Sequence, residues 1–278
     1  MVKELSQAYP VKTLCEILGL PRSTYYHQVK KKIGDQELKN EIEEVIASKP
    51  YYGYRRVTHQ LKRKGYEIGE TRVRRLLREL DHTCQVGKVR FPPNGKRHDH
   101  KRHPNQIKKL EITQINQVWV ADITYIRLGR QFIYLAVILD AYSRGIRGWH
   151  LSHSLEKQLS IQALKMALAN HPAPEYHHSD QGVQYATPKY TELLPEKTRV
   201  SMSAAGRPME NGIVERFMRT FKEEHIEYSE YDNFEDALKQ IKYWLEIEYM
   251  TDRIHSSLDY LTPAEFEEEL AHASFFPS

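Results

Sequence analysis

Cysteine is almost missing from this 278-residue chain: Cys15 and Cys84 are the only two, far apart and in neither a CxxC pair nor a larger cluster. That argues against a disulfide scaffold and fits a reducing cytoplasm. Long hydrophobic runs are also lacking, and no stretch approaches the roughly 20 apolar residues that span a bilayer. The first residues, MVKELSQAYPVKTL, contain no apolar core of a signal peptide. Together these absences predict a cytoplasmic protein with no membrane span. What is present suffices for real cores, with 40% hydrophobic residues, 28% charged residues and a mean hydropathy of −0.67. The length suggests two or three domains.

The net charge of +4 hides an asymmetry, because residues 1–109 carry 25 basic and 12 acidic side chains, a net of +13, whereas residues 110–278 carry a net of −9. A basic half joined to an acidic half suggests a polyanion-binding module attached to something else. Charge alone does not separate that from a basic solvated surface.

Two short helices open the chain. VKTLCEILGL places Val11, Leu14, Cys15 and Leu18 on one face before Gly19, and RSTYYHQVKKK, with Arg22 and Tyr25, continues as a basic second helix after Pro21. This is a helix-turn-helix outline over residues 1–34, with Arg22 and Tyr25 as candidate DNA contacts. A second helical module spans 35–85, with Leu38, Ile42, Val45 and Ile46 at helical spacing, then Val57 and Leu61, then a third helix opened by Thr71 as N-cap. That third helix buries Val73, Leu76, Leu77 and Leu80 and turns Arg72, Arg74, Arg75 and Arg78 outward, near Arg55 and Arg56. Such arginines suit a DNA backbone or a groove; the alternative is a solvated face. Residues 86–114 are a basic linker, expected to be disordered or extended. His98, His100 and His103 there lack a cysteine pair to complete a metal ligand set.

From residue 115 the texture changes to strands. NQVWVADITYI, RQFIYLAVILDAY and GIRGWHLSH are three β-rich runs, followed by a helix (LEKQLSIQALKMALANH, with Leu155, Leu159 and Ala163 among its apolar positions), a strand in EYHHSDQG, a helix, a strand in RVSMS and the helices NGIVERFMRTFKEEHI and NFEDALKQIKYWLEIEYM. Three strands and then αβαβα make an α/β sheet with helices on its faces. Asp122 interrupts an apolar, β-branched strand, where a carboxylate is costly to bury without a positive partner. Asp180 ends a short strand, and Glu215 lies on a helix. If the three converge they repel one another unless divalent cations neutralise them, and oxygen ligands suit Mg²⁺ or Mn²⁺. Singly, each has an ordinary structural explanation. Asn211, Glu215, Arg219 and Lys222 share one helical face, which sets a carboxylate beside cations able to hold phosphate; a run of intrahelical ion pairs is the alternative.

The segments WVADITYI, LDAYSRGIRGW, HHSDQGVQY, SMSAAGRPMENGIVERFMRTFKEE and RIHSSLDYLTPAEF, in this order and with D-x57-D-x34-E spacing, resemble the signature blocks of bacterial insertion-sequence transposases. The resemblance is to the OrfB-type product of the IS-three group, related to retroviral integrases, and it covers essentially the whole chain. It implies an α/β RNase H-like integrase core (115–228) preceded by all-α helix-turn-helix modules and followed by a helical extension (229–278). Asp122, Asp180 and Glu215 are then the catalytic metal ligands for two Mg²⁺ ions, and Lys222, seven residues after the glutamate, is a phosphate contact with Arg219 beside it. Gln181 stands where an arginine is frequent in the family, and Met250 where asparagine is usual.

The implied partners are double-stranded DNA, as terminal inverted repeats and as target, and an upstream-frame subunit or fusion. A homo-oligomer on DNA and a place at the bacterial nucleoid follow from the same resemblance. A nuclease without strand transfer and a catalytically dead DNA-binding regulator are the other readings.

Overall fold

The computed structural model describes residues 34–84, 103–204 and 211–275, together with Ile17. Apart from Ile17 and Gly34, the helix-turn-helix expected over 1–34, with Arg22 and Tyr25, lies outside the described residues, as do residues 85–102 of the linker.

Three short helices lead. α1 (Asp35–Ser48), α2 (Tyr54–Arg63) and α3 (Glu70–Glu79) each turn an apolar stripe inward. Leu38, Ile42, Val57, Leu61, Val73 and Leu76 are fully buried in one cluster. Thr71 is not the N-cap of the third helix: Gly69 holds that place in extended geometry, and the helix begins at Glu70. A carboxylate in the first turn complements the positive end of the helix dipole, so Glu70 favours the earlier start.

The sheet has five strands, β1 (Val118–Leu128), β2 (Gln131–Asp140), β3 (Ile146–Ser152), β4 (Tyr176–Ser179) and β5 (Arg199–Met202), in the order β3-β2-β1-β4-β5. The first three are antiparallel, the β1–β2 turn passing through Gly129 at φ +57°. The last two join in parallel, which requires crossover connections. α4 (Lys157–Asn170) and the single turn α5 (Pro188–Thr191) provide them. Strands of this order with helices on both faces form the RNase H-like core.

β1 is apolar on both sides because each side feeds a core. Trp119 and Ala121 pack beneath α4 with Leu159 and Leu164. Val118 and Val120 face α6 (Gly212–Glu224) and α7 (Phe234–Tyr243), which continues as a π-helical segment, Trp244–Asp252. At Gly148 a Cβ would come within 2.3 Å of the Ala163 carbonyl and 2.7 Å of the Ala167 nitrogen, so α4 sits directly on β3. Leu155, expected on this helix, precedes it and is exposed.

Residues 103–114, part of the linker expected to be disordered or extended, form neither helix nor strand but pack against the core. The Gln106 backbone N–H donates to Ser201 Oγ at 2.9 Å and its side-chain amide to the Val200 carbonyl at 3.0 Å. Ile107, Leu110 and Ile112 lie against the core, apolar contact that the linker's polar composition conceals. At the other end, Ile254 is buried inside the α1–α3 cluster. Arg63 donates to Glu265 at 3.0 Å on the last helix, α8 (Pro263–Phe275), and Lys49 pairs with Asp252. The α1–α3 module is thereby tied to the sheet. Met250 accepts the Ile146 N–H on its sulfur at 3.2 Å.

Candidate active site

The parallel register of β1 and β4 ends at the pair Ala121 and Ser179. Asp122, still on β1, and Asp180, the first residue after β4, come next, so the two carboxylates lie side by side. Asp122 Oδ1 accepts the Ile123 N–H at 2.8 Å, and Asp180 Oδ1 accepts the Gly182 N–H at 2.8 Å. A Cβ at Gly182 would lie 2.8 Å from that same Asp180 oxygen and 3.1 Å from Gln184 Oε1, so a side chain there would displace the Asp180 carboxylate. Glu215 arrives on α6, whose N-cap Asn211 donates from Nδ2 to the Ala121 carbonyl at 3.4 Å. That bond pins the start of α6 to the residue before Asp122.

The electrostatics reflect this convergence. Burial, then the charges of Asp180 and Glu215, push the Asp122 carboxyl up to about 7, against the opposing pull of the Ile123 N–H and Lys222. Burial raises Asp180 as well. Glu215 is raised by burial and by Asp180, with Arg219 pulling the other way. Lys222 is buried on the same helix, its ammonium 4.7 Å from the centre of the Tyr125 ring, and burial lowers its pKa while Asp122 opposes the shift.

Repelling carboxylates of this kind, all hard oxygen donors, suit a divalent cation of the Mg²⁺ type. Among the described residues no group of three or more His, Cys, Asp or Glu stands close enough to hold an ion as placed. Asp122 and Asp180 share a cleft of about 170 Å³ whose wall includes Leu155, Gln184 and Tyr185 but not Glu215. Tyr185 is the residue that sequence reasoning missed: its hydroxyl is buried with no hydrogen-bond partner among the described residues, and burial, then Tyr190 and the two aspartates, raise its pKa. Its only signal was its place in the block HHSDQGVQY.

The expected DNA-contacting arginines divide. Arg55, Arg74 and Arg78 are exposed on α2 and α3. Arg72 and Arg75 both reach Asp35 at 2.6 Å, and Arg75 also meets Glu79 at 2.6 Å. Arg56 is half-buried. It bonds Glu224 at 2.8 Å and the Tyr51 carbonyl at 2.9 Å, because the buried Glu224 needs countercharge.

Set beside known proteins, the chain matches the family "Integrase core domain" over residues 113–208 and a second description of that domain over 196–263, and the family "HTH-like domain" over 34–90. A 31 kDa protein of insertion element IS600 from Shigella sonnei is 34% identical, the alignment covering 92% of this chain and 98% of the relative. A transposase of IS904 from Lactococcus lactis is 31% identical over 86% and 95%, and the InsF transposase of IS3A from Escherichia coli K12 is 30% identical over 93% and 94%. Of solved structures, the catalytic core of BIV integrase aligns at a TM-score of 0.44 with 16% identity, covering 58% of this chain and 99% of that one. The HTLV-2 integrase core in complex with magnesium aligns at 0.39 with 15% identity, covering 54% and 95%.

Proposed function

Because the chain belongs to the insertion-sequence transposases that carry an integrase core and an HTH-like domain, we propose that it is a DDE strand transferase in which Asp122, Asp180 and Glu215 are the catalytic acids. The observation that carries this is that Asp122 and Asp180 each directly follow the last parallel pair of β1 and β4, with α6 bringing Glu215 close enough for its charge to act on Asp122.

The three carboxylates would hold two Mg²⁺ ions, replaceable by Mn²⁺, which supply neutralisation of a phosphodiester's charge during in-line displacement. Lys222 and Arg219, on the same helical face as Glu215, steady the scissile phosphate. Water attacks the phosphodiester at the element's end, the P–O3′ bond breaks and the 3′-hydroxyl leaves; that hydroxyl then attacks a target phosphodiester, joining to its phosphorus as the target's own P–O3′ bond breaks and its 3′-hydroxyl leaves. The protein forms no covalent bond to DNA. Residues 1–85 grip the terminal inverted repeats, with Arg55, Arg74 and Arg78 of the described part facing the backbone. The chain works as a homo-oligomer on DNA at the nucleoid, together with an upstream-frame subunit or fusion.

Incubation with labelled element ends and Mg²⁺ tests the catalytic reading. Wild-type protein is expected to nick and join, and Asp180→Asn to do neither while still shifting end DNA on a gel. Cutting without joining would identify a nuclease, and unchanged cleavage by Asp180→Asn would sink the catalytic assignment. Deleting residues 1–85 is expected to abolish the end-specific shift; a surviving shift would overturn the division of labour.

A further inference from the structure

A cavity of about 660 Å³ lies between α2, the first turns of α6 and residues 253–260, apart from the acidic cleft. Arg55, Arg56, Arg144, Arg216 and Arg253 line it, and among the described residues of its wall there is no aspartate or glutamate. Glu224 answers Arg56 at 2.8 Å and Arg253 at 2.6 Å from behind the wall. Glu70 meets Arg55 at 4.0 Å from outside the wall, so five guanidinium groups face two carboxylates and the cavity keeps excess positive charge. Nη1 of Arg144 is buried with no hydrogen-bond partner among the described residues. His255 registers the same field: burial first, then Arg253, Arg144 and Arg56, depress its pKa to about 2 and keep the ring neutral. A dry guanidinium N–H without an acceptor is unfavourable, and a phosphate oxygen is the acceptor it fits best.

The geometry points to this cavity as a binding site for a backbone phosphate of a DNA strand, a second nucleic-acid contact beside the acidic site. It rests on the DNA-acting function proposed above and adds where else the strand is held. Two features favour a strand over a small free anion. The cavity is many times the roughly 30 Å³ share of one water molecule, and so roomier than an inorganic anion requires. Finally, α6 serves both sites. Ile213, Arg216, Phe217 and Thr220 of its wall recur at i, i+3, i+4 and i+7, and that stripe lies nearly opposite the one carrying Asn211, Glu215, Arg219 and Lys222. A strand held in the cavity would thus be positioned by the same helix that carries Glu215.

The test is fluorescence anisotropy of the full chain with a labelled element-end duplex across a salt series. Arg216 is exposed, so Arg216→Gln keeps the fold; Arg144→Gln removes the unsatisfied group itself. Each variant is expected to bind roughly tenfold more weakly, with the slope of log K against log salt reduced by about one, as for loss of a phosphate contact. The readout is binding, so it stands even if the wild-type chain cuts nothing. Unchanged affinity and slope in the folded variants would overturn the proposal, and Arg216→Gln alone decides if Arg144→Gln fails to fold. Inorganic phosphate at constant ionic strength is the second arm. If it raises the wild-type melting temperature but not that of the variants, while DNA affinity is equal in all three, the cavity takes a free anion and the DNA contact is refuted.

Discussion

At Asp122 the cost of gathering carboxylates falls on one side chain. Its ordinary value is 3.8 and its folded value about 7, so between those limits the unfolded chain has lost a proton that the folded chain retains. Stability therefore falls as pH rises through this window, and the penalty is complete above it. Asp122→Asn removes it: in metal-free buffer at pH 8 the variant should be more stable than wild type by up to about 4 kcal/mol, with little difference at pH 4. Urea melts at the two pH values check this, and a less stable variant at pH 8 would contradict it. Adding Mg²⁺ should raise the wild-type midpoint and leave Asp122→Asn unmoved. Much of this residue's importance was legible in the sequence, because a carboxylate inside WVADITYI has no place in an apolar strand without a reason. Arg55 and Arg56 show the limit. They are neighbours in sequence, yet one is solvated and the other is committed to Glu224, from a helix 168 residues away. No local pattern encodes where Glu224 will land.

Between elements, the buried Glu224 joins α6 to α2 through Arg56 and to Arg253 through two further bonds at 2.6 Å and 2.8 Å. Glu224→Ala strands two guanidinium groups and should cost about 3–5 kcal/mol. The two arginines hold the Glu224 carboxyl below its usual range despite its burial. Its contribution is therefore present above the ordinary carboxyl pKa and disappears as pH falls through the lowered folded value. Glu224→Gln should lack that acid-limb loss in a pH series of thermal melts. Where α4 lies on β3, Gly148→Ala forces backbone apart and should destabilise by about 1–3 kcal/mol in chemical denaturation. Helices and strands were readable here because 3.6- and 2-residue periods are local properties. The intimacy of α4 and β3 was not, since a glycine within GIRGW gives no sign of what approaches it.

For the molecule as a whole, the α1–α3 module is not a free appendage, because Ile254 completes its core from the far end of the chain. Ile254→Ala should therefore cost about 2–5 kcal/mol and loosen α1–α3 more than the sheet, seen as faster amide hydrogen exchange in residues 35–79. Equal loosening throughout would mean that the contact is not specific to the module. The order of blocks and the D-x57-D-x34-E spacing were in the sequence, and with them the family, the α/β core and the three acids worth testing. Those depend on residue identity and local period, which a linear string carries in full. The closing of the α1–α3 core by Ile254, the packing of residues 103–114 against the core and the arginine-lined cavity were decided only by tertiary structure. Each depends on which distant groups share a buried space, and a low-dielectric interior makes such meetings matter far more than their separation along the chain suggests.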